Sequence, residues 1–162
     1  MFRKLATTTA IALSLLAAPA VMAAQQKVKE VDVSVDLAAV NNAQAAQYWA
    51  NIETDLENAI AARVSDRISE DGVKVSVKVS EVELANTFQN ITNLADTKLA
   101  ARVNVTSDNG ADNVRSYDLE VTVGQAAVFF PEGTDLSALT LDTPVYYQAM
   151  INAFANAVVE RL

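Results

Sequence analysis

From Val31 the chain alternates: Val31, Val33, Val35 and Leu37 are separated by Asp32, Ser34 and Asp36. A period of two with one apolar side predicts a strand with one buried face. The period then changes. Trp49, Ile52, Leu56, Ile60, Val64 and Ile68 recur at steps of three and four, which predicts one long, unbroken amphipathic helix with Asn41 or Asn42 as its N-cap. Glu53, Asp55 and Glu57 fall in its earlier half and Arg63 and Arg67 toward its end, the order the helix dipole favours. Gly72 stands where a left-handed C-terminal cap is needed.

A second alternating run follows, with Val73, Val75, Val77 and Val79 set between Lys74, Ser76, Lys78 and Ser80. The parity shifts at Val82 and Leu84, and a β-bulge near Ser80 or Glu81 accounts for the shift. Residues 85–98 read as a long connection holding a short helical turn. Leu99, Ala101, Val103 and Val105 restart a strand, residues 107–113 are dense in Asp, Asn and Gly, and Tyr117, Leu119, Val121 and Val123 return as its hairpin partner. Residues 124–142 form an irregular segment. Thr143 caps a final helix with Pro144 in its first turn, and Tyr147, Met150, Ile151, Phe154, Val158 and Leu162 supply the buried stripe.

The predicted order is β-α-β-β-β-α, an α+β two-layer sandwich in which a four-stranded mixed sheet carries two helices on one face. The helical crossover makes the first two strands parallel, and the later strands pair antiparallel. Asp32, Ser34, Asp36, Lys74, Lys78, Arg102, Asn104, Asp118 and Glu120 fall on the other, polar face.

The N-terminus changes the picture of where this domain works. Arg3 and Lys4 precede an apolar run over 11–18, and Val21-Met22-Ala23 offers small residues for cleavage. This is the layout of a secretory signal peptide, so residues 1–23 are the expected leader and 24–162 a single α+β domain, with cleavage after Ala24 the close alternative. No later run approaches the length of a membrane span. The expected location is periplasmic or secreted. The sequence has no Cys, so it lacks the residue a bacterial lipoprotein carries directly after its cleavage site, and no lipid anchor is expected.

Loss of the leader leaves 10 basic against 20 acidic residues in the exported chain, a net charge of −10. Such a surface repels phosphate backbones and anionic lipids, which argues against nucleic acid as a partner. The absence of His and Cys removes the ordinary nucleophile triads and the usual zinc ligand sets. Without disulfides the exported domain must stabilise itself by packing alone.

The alternating strand over 31–37, the helix over 49–68, the valine strand over 73–79, the hairpin, and a last helix carrying Phe154-Ala155-Asn156-Ala157-Val158-Val159 form a succession of elements. That succession resembles the small α/β envelope proteins related to the N-terminal domain of TolB and to curli-secretion and LPS-assembly lipoproteins. The resemblance covers the mature chain as a pattern of elements and implies an accessory role in the cell envelope. The missing lipoprotein Cys is a departure from that group.

Four constellations are candidates for chemistry. Asp108, Asn109, Asp112 and Asn113 gather oxygen ligands of the kind calcium takes, with Asp108 and Asp112 the charged pair; hairpin-turn chemistry explains the same residues, and no metal or cofactor is expected. Asp32 with Asp36, or Asp118 with Glu120, would share a strand face as a carboxylate pair for hydrolysis. Ser76, Lys78 and Ser80 put a nucleophile and a base on one face without an elbow or oxyanion motif. Phe129 and Phe130 precede Pro131, and in extended backbone they cannot both face one core. Either one anchors a partner or the loop buries both. Tyr146 falls beside the stripe that Tyr147 fits, the position of a partner contact.

The reading that follows is a non-enzymatic exported accessory or adaptor protein that binds another envelope protein through the polar sheet face or through Phe129, Phe130 and Tyr146. A hydrolase using carboxylates alone and a structural subunit self-associating through an open sheet edge are the alternatives.

Overall fold

A computed structural model describes residues 26–89, 94, 97–108, 115–140 and 143–162. The expected leader and its cleavage point lie outside them. Four strands, β1 (Val28–Ser34), β2 (Val73–Val79), β3 (Lys98–Thr106) and β4 (Arg115–Thr122), form one sheet in the order β1-β2-β3-β4. β1 and β2 are parallel; β2 with β3 and β3 with β4 are antiparallel. Helices α1 (Ala43–Tyr48) and α2 (Ile52–Arg63), with α4 (Pro144–Val159), pack on the sheet. The mixed two-layer α+β architecture is the one the hydrophobic pattern predicts.

Register aligns the apolar positions into rows. Val33, Val77 and Val103 stand opposite one another across three strands, and Val79, Ala101 and Leu119 form the next row. Against these rows α1 and α2 set Trp49, Ile52, Leu56 and Ile60, while α4 sets Met150, Ile151, Phe154 and Val158; all are fully buried or within a per cent or two of it. Each such side chain contributes about 1.5–3 kcal/mol of transfer free energy. Two bonds join the helices across their seam. Arg63 Nη2 donates to Asn152 Oδ1 at 3.0 Å, and the Tyr147 hydroxyl donates to Asp55 Oδ2 at 2.7 Å.

The single long helix expected from Trp49 to Ile68 is two helices and a short turn. Asn42 caps α1, accepting from the amides of Gln44 and Ala45. The chain leaves helical geometry at Trp49, whose indole Nε1 donates to Leu84 O at 3.3 Å, and resumes at Ile52. Beyond Val64 a 3-10 turn (Ser65–Arg67) leads Ile68 into an extended bridge with Val28. Ile68 is therefore 56% exposed and does not belong to the stripe. A three-and-four spacing persists through a helix break whenever both pieces face the same core, which is why the sequence does not reveal it.

The first strand also sits earlier than its alternation suggested. It starts at Val28 with an irregularity between Val28 and Glu30, and Leu37 lies in a 3-10 turn (Leu37–Ala39). Asp36 causes this by accepting from the amides of Ala38 and Ala39, so it caps that turn and leaves the strand face.

The expected β-bulge at Ser80 or Glu81 is instead the start of a helix, α3 (Glu81–Gln89). Ser80 Oγ accepts from the Glu83 amide at 3.3 Å. Ser80 and Glu83 have the Ser-x-x-Glu spacing of a capping box, a signal present in the sequence. Thr87 on α3 is buried and donates to Lys98 O at 2.7 Å, which fixes where β3 begins.

Gly72 has no positive φ and caps no helix. A Cβ there would lie 2.4 Å from the Val28 carbonyl carbon and 2.5 Å from the Lys29 nitrogen. Glycine is required because β1 passes against the entry to β2, and main chain cannot yield as a flexible side chain would. Gly72→Ala is expected to destabilise the protein by about 1–3 kcal/mol. Urea denaturation checks this; an unchanged midpoint would show that β1 yields freely.

Candidate functional site

The outer face of the sheet is a lattice of solvated ion pairs. Arg102 Nε and Nη2 grip the two Asp118 oxygens at 2.8 and 2.9 Å, Lys74 meets Glu30 at 3.0 Å, and Lys98 meets Glu120 at 2.8 Å and Glu83 at 3.7 Å. Lys74, Lys98 and Arg102 lie on the central strands and their partners Glu30, Glu120 and Asp118 on the two edge strands, with Glu83 reaching Lys98 from the segment after β2. The bonds from Arg102 hold the Asp118 carboxyl below its ordinary value, so it is ionised and committed. Asp36 has left this face, so Asp32 has no carboxylate neighbour there from that pair. Ser76 stands between Asp32 and Asn104 in the register, and Lys78 between Ser34 and Arg102. This face has a shallow depression of about 630 Å³, lined by Lys78, Arg102, Asp118 and Glu120, open to water along its length.

The calcium candidate divides. Asp108 Oδ2 accepts from Lys29 Nζ at 2.8 Å, and this bond lowers its pKa; Asp112 lies outside the described residues. Among the described residues no cluster of three His, Cys, Asp or Glu side chains is placed to hold a metal.

The segment after β4 is where apolar surface meets solvent. A 3-10 helix (Gln125–Phe129) packs against α4. Its three-residue repeat turns Ala126 and Phe129 to the same side, Ala126 becoming fully buried and Phe129 half-buried. Phe130 leaves the turn in extended backbone and is also half-buried against the core. The two phenylalanines thus share the core's rim. Val128 points the other way and is 83% exposed, the most exposed large hydrophobic side chain among the described residues. Sequence reasoning passed over it because an isolated Val carries no signal until the 3-10 winding is known.

Beside this turn, Phe129, Pro131, Pro144 and Val145 line an apolar hollow of about 320 Å³. On its other side a groove of about 270 Å³ lies against β4, with Leu119, Val121, Val128 and Phe129 as its apolar wall and Asn156, Glu160 and Arg161 among its polar lining. Val128 therefore stands at the rim of a groove of mixed character beside the sheet edge.

Tyr146 is not part of that surface. It is fully buried, and its hydroxyl lies 2.7 Å from Thr97 Oγ1, which also lies 2.7 Å from Leu94 O. A carbonyl only accepts, so Thr97 gives its one hydrogen to Leu94 and Tyr146 donates to Thr97. The expected partner contact at Tyr146 is thereby corrected: α4 is apolar enough around its circumference to bury this ring, and Tyr147 is the half-buried neighbour. Tyr48, Trp49 and Tyr147 meet edge to face or tilted, with centroids 4.7–5.9 Å apart, beside a cleft of about 300 Å³ that includes Asp55. Trp49, 1% exposed, is core as the stripe predicts.

Two pH limits follow. Asp108 and Asp118 are lowered by Lys29 and Arg102, and Asp135 by bonds from Ser137, so their stabilisation is full above the ordinary value of 3.8 and lost as pH falls through their folded values. Burial raises Tyr117, raises Tyr146 to about 12 and raises Tyr147 further with help from Asp55. Their stabilisation is full below 10 and lost as pH rises through the raised values. With no His, the urea midpoint is expected to stay level across about pH 5.5–8, to fall below about pH 4, and to fall again above pH 10 with phenolate absorbance rising as the protein unfolds. Phenolate from more than two of the four tyrosines at pH 10 in the folded protein would contradict the burial of Tyr146 and Tyr147.

No protein-family model matches this sequence, and no curated protein matches it either.

Proposed function

We propose that this is an exported, periplasmic accessory or adaptor protein that binds another component of the cell envelope and makes or breaks no bond. The observation that carries the reading is Val128, held out at 83% exposure on the Gln125–Phe129 turn beside half-buried Phe129 and Phe130. Exposed apolar side chains in a contiguous patch, rimmed by polar groups, are how protein surfaces meet partners. The leader and the resemblance to envelope proteins point to the same compartment. Among the described residues no helix is long and apolar enough to cross a membrane.

The alternatives draw less support. A carboxylate hydrolase needs one acid kept protonated in a cleft, whereas Asp118 is exposed, lowered in pKa and gripped by Arg102. A self-associating sheet edge needs edges that tolerate their own kind, and both edge strands carry acids on the outer face: Glu30 and Asp32 on β1, Asp118 and Glu120 on β4.

Crosslinking in cells tests the reading, with a photoreactive residue at Val128 and a control at exposed Asp66. The expected result is one discrete envelope protein captured from Val128 and not from Asp66. Val128→Asp should remove a capture made from a photoreactive residue at the neighbouring Pro131, while changing stability by no more than about 0.5 kcal/mol. Absence of any specific capture overturns the proposal.

A further inference from the structure

We infer that the free edge of β4 is a strand-addition site, taking an extended segment of a partner protein with apolar side chains toward α4 and basic ones on the outer face. The inference deepens the adaptor reading and rests on it.

Among the described residues no main-chain group outside β3 bonds to β4 between Ser116 and Glu120, and the polarity of this edge is readable. Thr122 turns its amide away from β3, where Gln125 Oε1 accepts it at 2.9 Å. The strand's period of two then directs the amides and carbonyls of Ser116, Asp118 and Glu120 to the same free edge. Gln125 closes that edge at Thr122 and leaves the rest for a partner.

The space under the edge matches what an added strand would bring. Alternate side chains of such a strand project toward the helix layer, into the 270 Å³ groove. It includes Ala153 and Ala157, whose small side chains leave the room that larger ones would fill, and Val128 extends its wall, while Asn156, Glu160 and Arg161 add polar groups to the lining. On the opposite face the incoming side chains would lie about 5 Å from Asp118 and Glu120. Those carboxylates are 74% and 52% exposed, and Arg102 and Lys98 reach them from the β3 side. Lysine or arginine in the added strand would approach from the unoccupied side.

A second copy fits poorly. Antiparallel pairing of two β4 edges centred on Leu119 places Asp118 opposite Glu120, and centring on Asp118 places that residue opposite itself. Pairing β4 with the β1 edge brings Glu30 and Asp32 to the same acids. Like charges directly opposite destabilise a sheet, so the favoured occupant is a basic, alternating segment of a different protein.

The test uses the purified exported protein and two short labelled peptides, one alternating Lys and Val, the other Glu and Val. By fluorescence anisotropy the Lys–Val peptide should bind at least about tenfold more tightly, and it should slow amide hydrogen exchange at Asp118 and Glu120. Glu120→Pro, which deletes an edge amide and no backbone bond to β3, though also the exposed Lys98–Glu120 ion pair, and Ala157→Trp, which fills the groove, should each abolish binding while circular dichroism shows the native fold. If Glu120→Pro does not fold, Ala157→Trp decides. Equal affinity for both peptides, no binding, binding without protection of the edge amides, or binding that survives the folded variants overturns the inference. A concentration-dependent dimer lost in Ala157→Trp would assign the edge to a second copy and overturn it too. In cells, capture from Val128 that persists in Glu120→Pro refutes strand addition and spares the adaptor reading, whereas no capture at all refutes the adaptor reading.

Discussion

One apolar sheet face must be covered, and the rest of the molecule is arranged by how it is covered. Four strands about 4.8 Å apart present a face roughly 15 Å across, and a helix with its side chains is about 10 Å wide. Two helices side by side are therefore just enough. α2 lies toward β1 and α4 toward β4 and β3, with the Arg63–Asn152 and Tyr147–Asp55 bonds along their seam. In a chain without disulfides, that close fit bears the stability. At the β4 margin the Gln125–Phe129 turn joins α4 in covering the sheet, and the groove left there lies between the strand, the turn and the helix.

Buried polar groups then fix the connections in place. Trp49 to Leu84 joins the α1–α2 break to α3, Thr87 to Lys98 joins α3 to β3, and Tyr146 through Thr97 to Leu94 joins α4 to the segment between them. Each is a single bond of modest net worth, about 1 kcal/mol, but leaving its partner unpaired in the interior costs more. Together they hold the crossover from β2 to β3 against the helix layer. They also hold still the scaffold on which the β4 edge is displayed.

Charge is distributed by the opposite logic, for solubility and against self-association. Lys74, Lys98 and Arg102 on the two central strands pair with Glu30, Glu120 and Asp118 on the edges, while Lys29 on β1 pairs with Asp108 beyond the end of β3. The lattice is fully solvated and adds little to stability. Its consequence is at the boundary: Glu30 and Asp32 on β1 and Asp118 and Glu120 on β4 put carboxylates on the outer face of both edge strands.

The alternating valines of β2 and β3 and the stripe of α4 determine the fold by themselves, because period two and period 3.6 each leave one way to bury all their apolar positions together. The absence of His and Cys is equally plain in the sequence. The break at Trp49, the α3 helix and the place of Gly72 were not read correctly. The first is hidden because both helices face one core, and the second because Ser80-x-x-Glu83 resembles a strand's shifted parity. The third depends on how closely β1 passes the entry to β2. The candidate surface was half legible: Phe129 and Phe130 marked the right segment, but Tyr146 is buried and Val128 went unnoticed. Whether a side chain in irregular backbone faces core or water is set by the local winding and by what packs across from it, and periodicity carries no information where there is no period. Sequence alone determined the layers; tertiary structure decided which edge of them stays open.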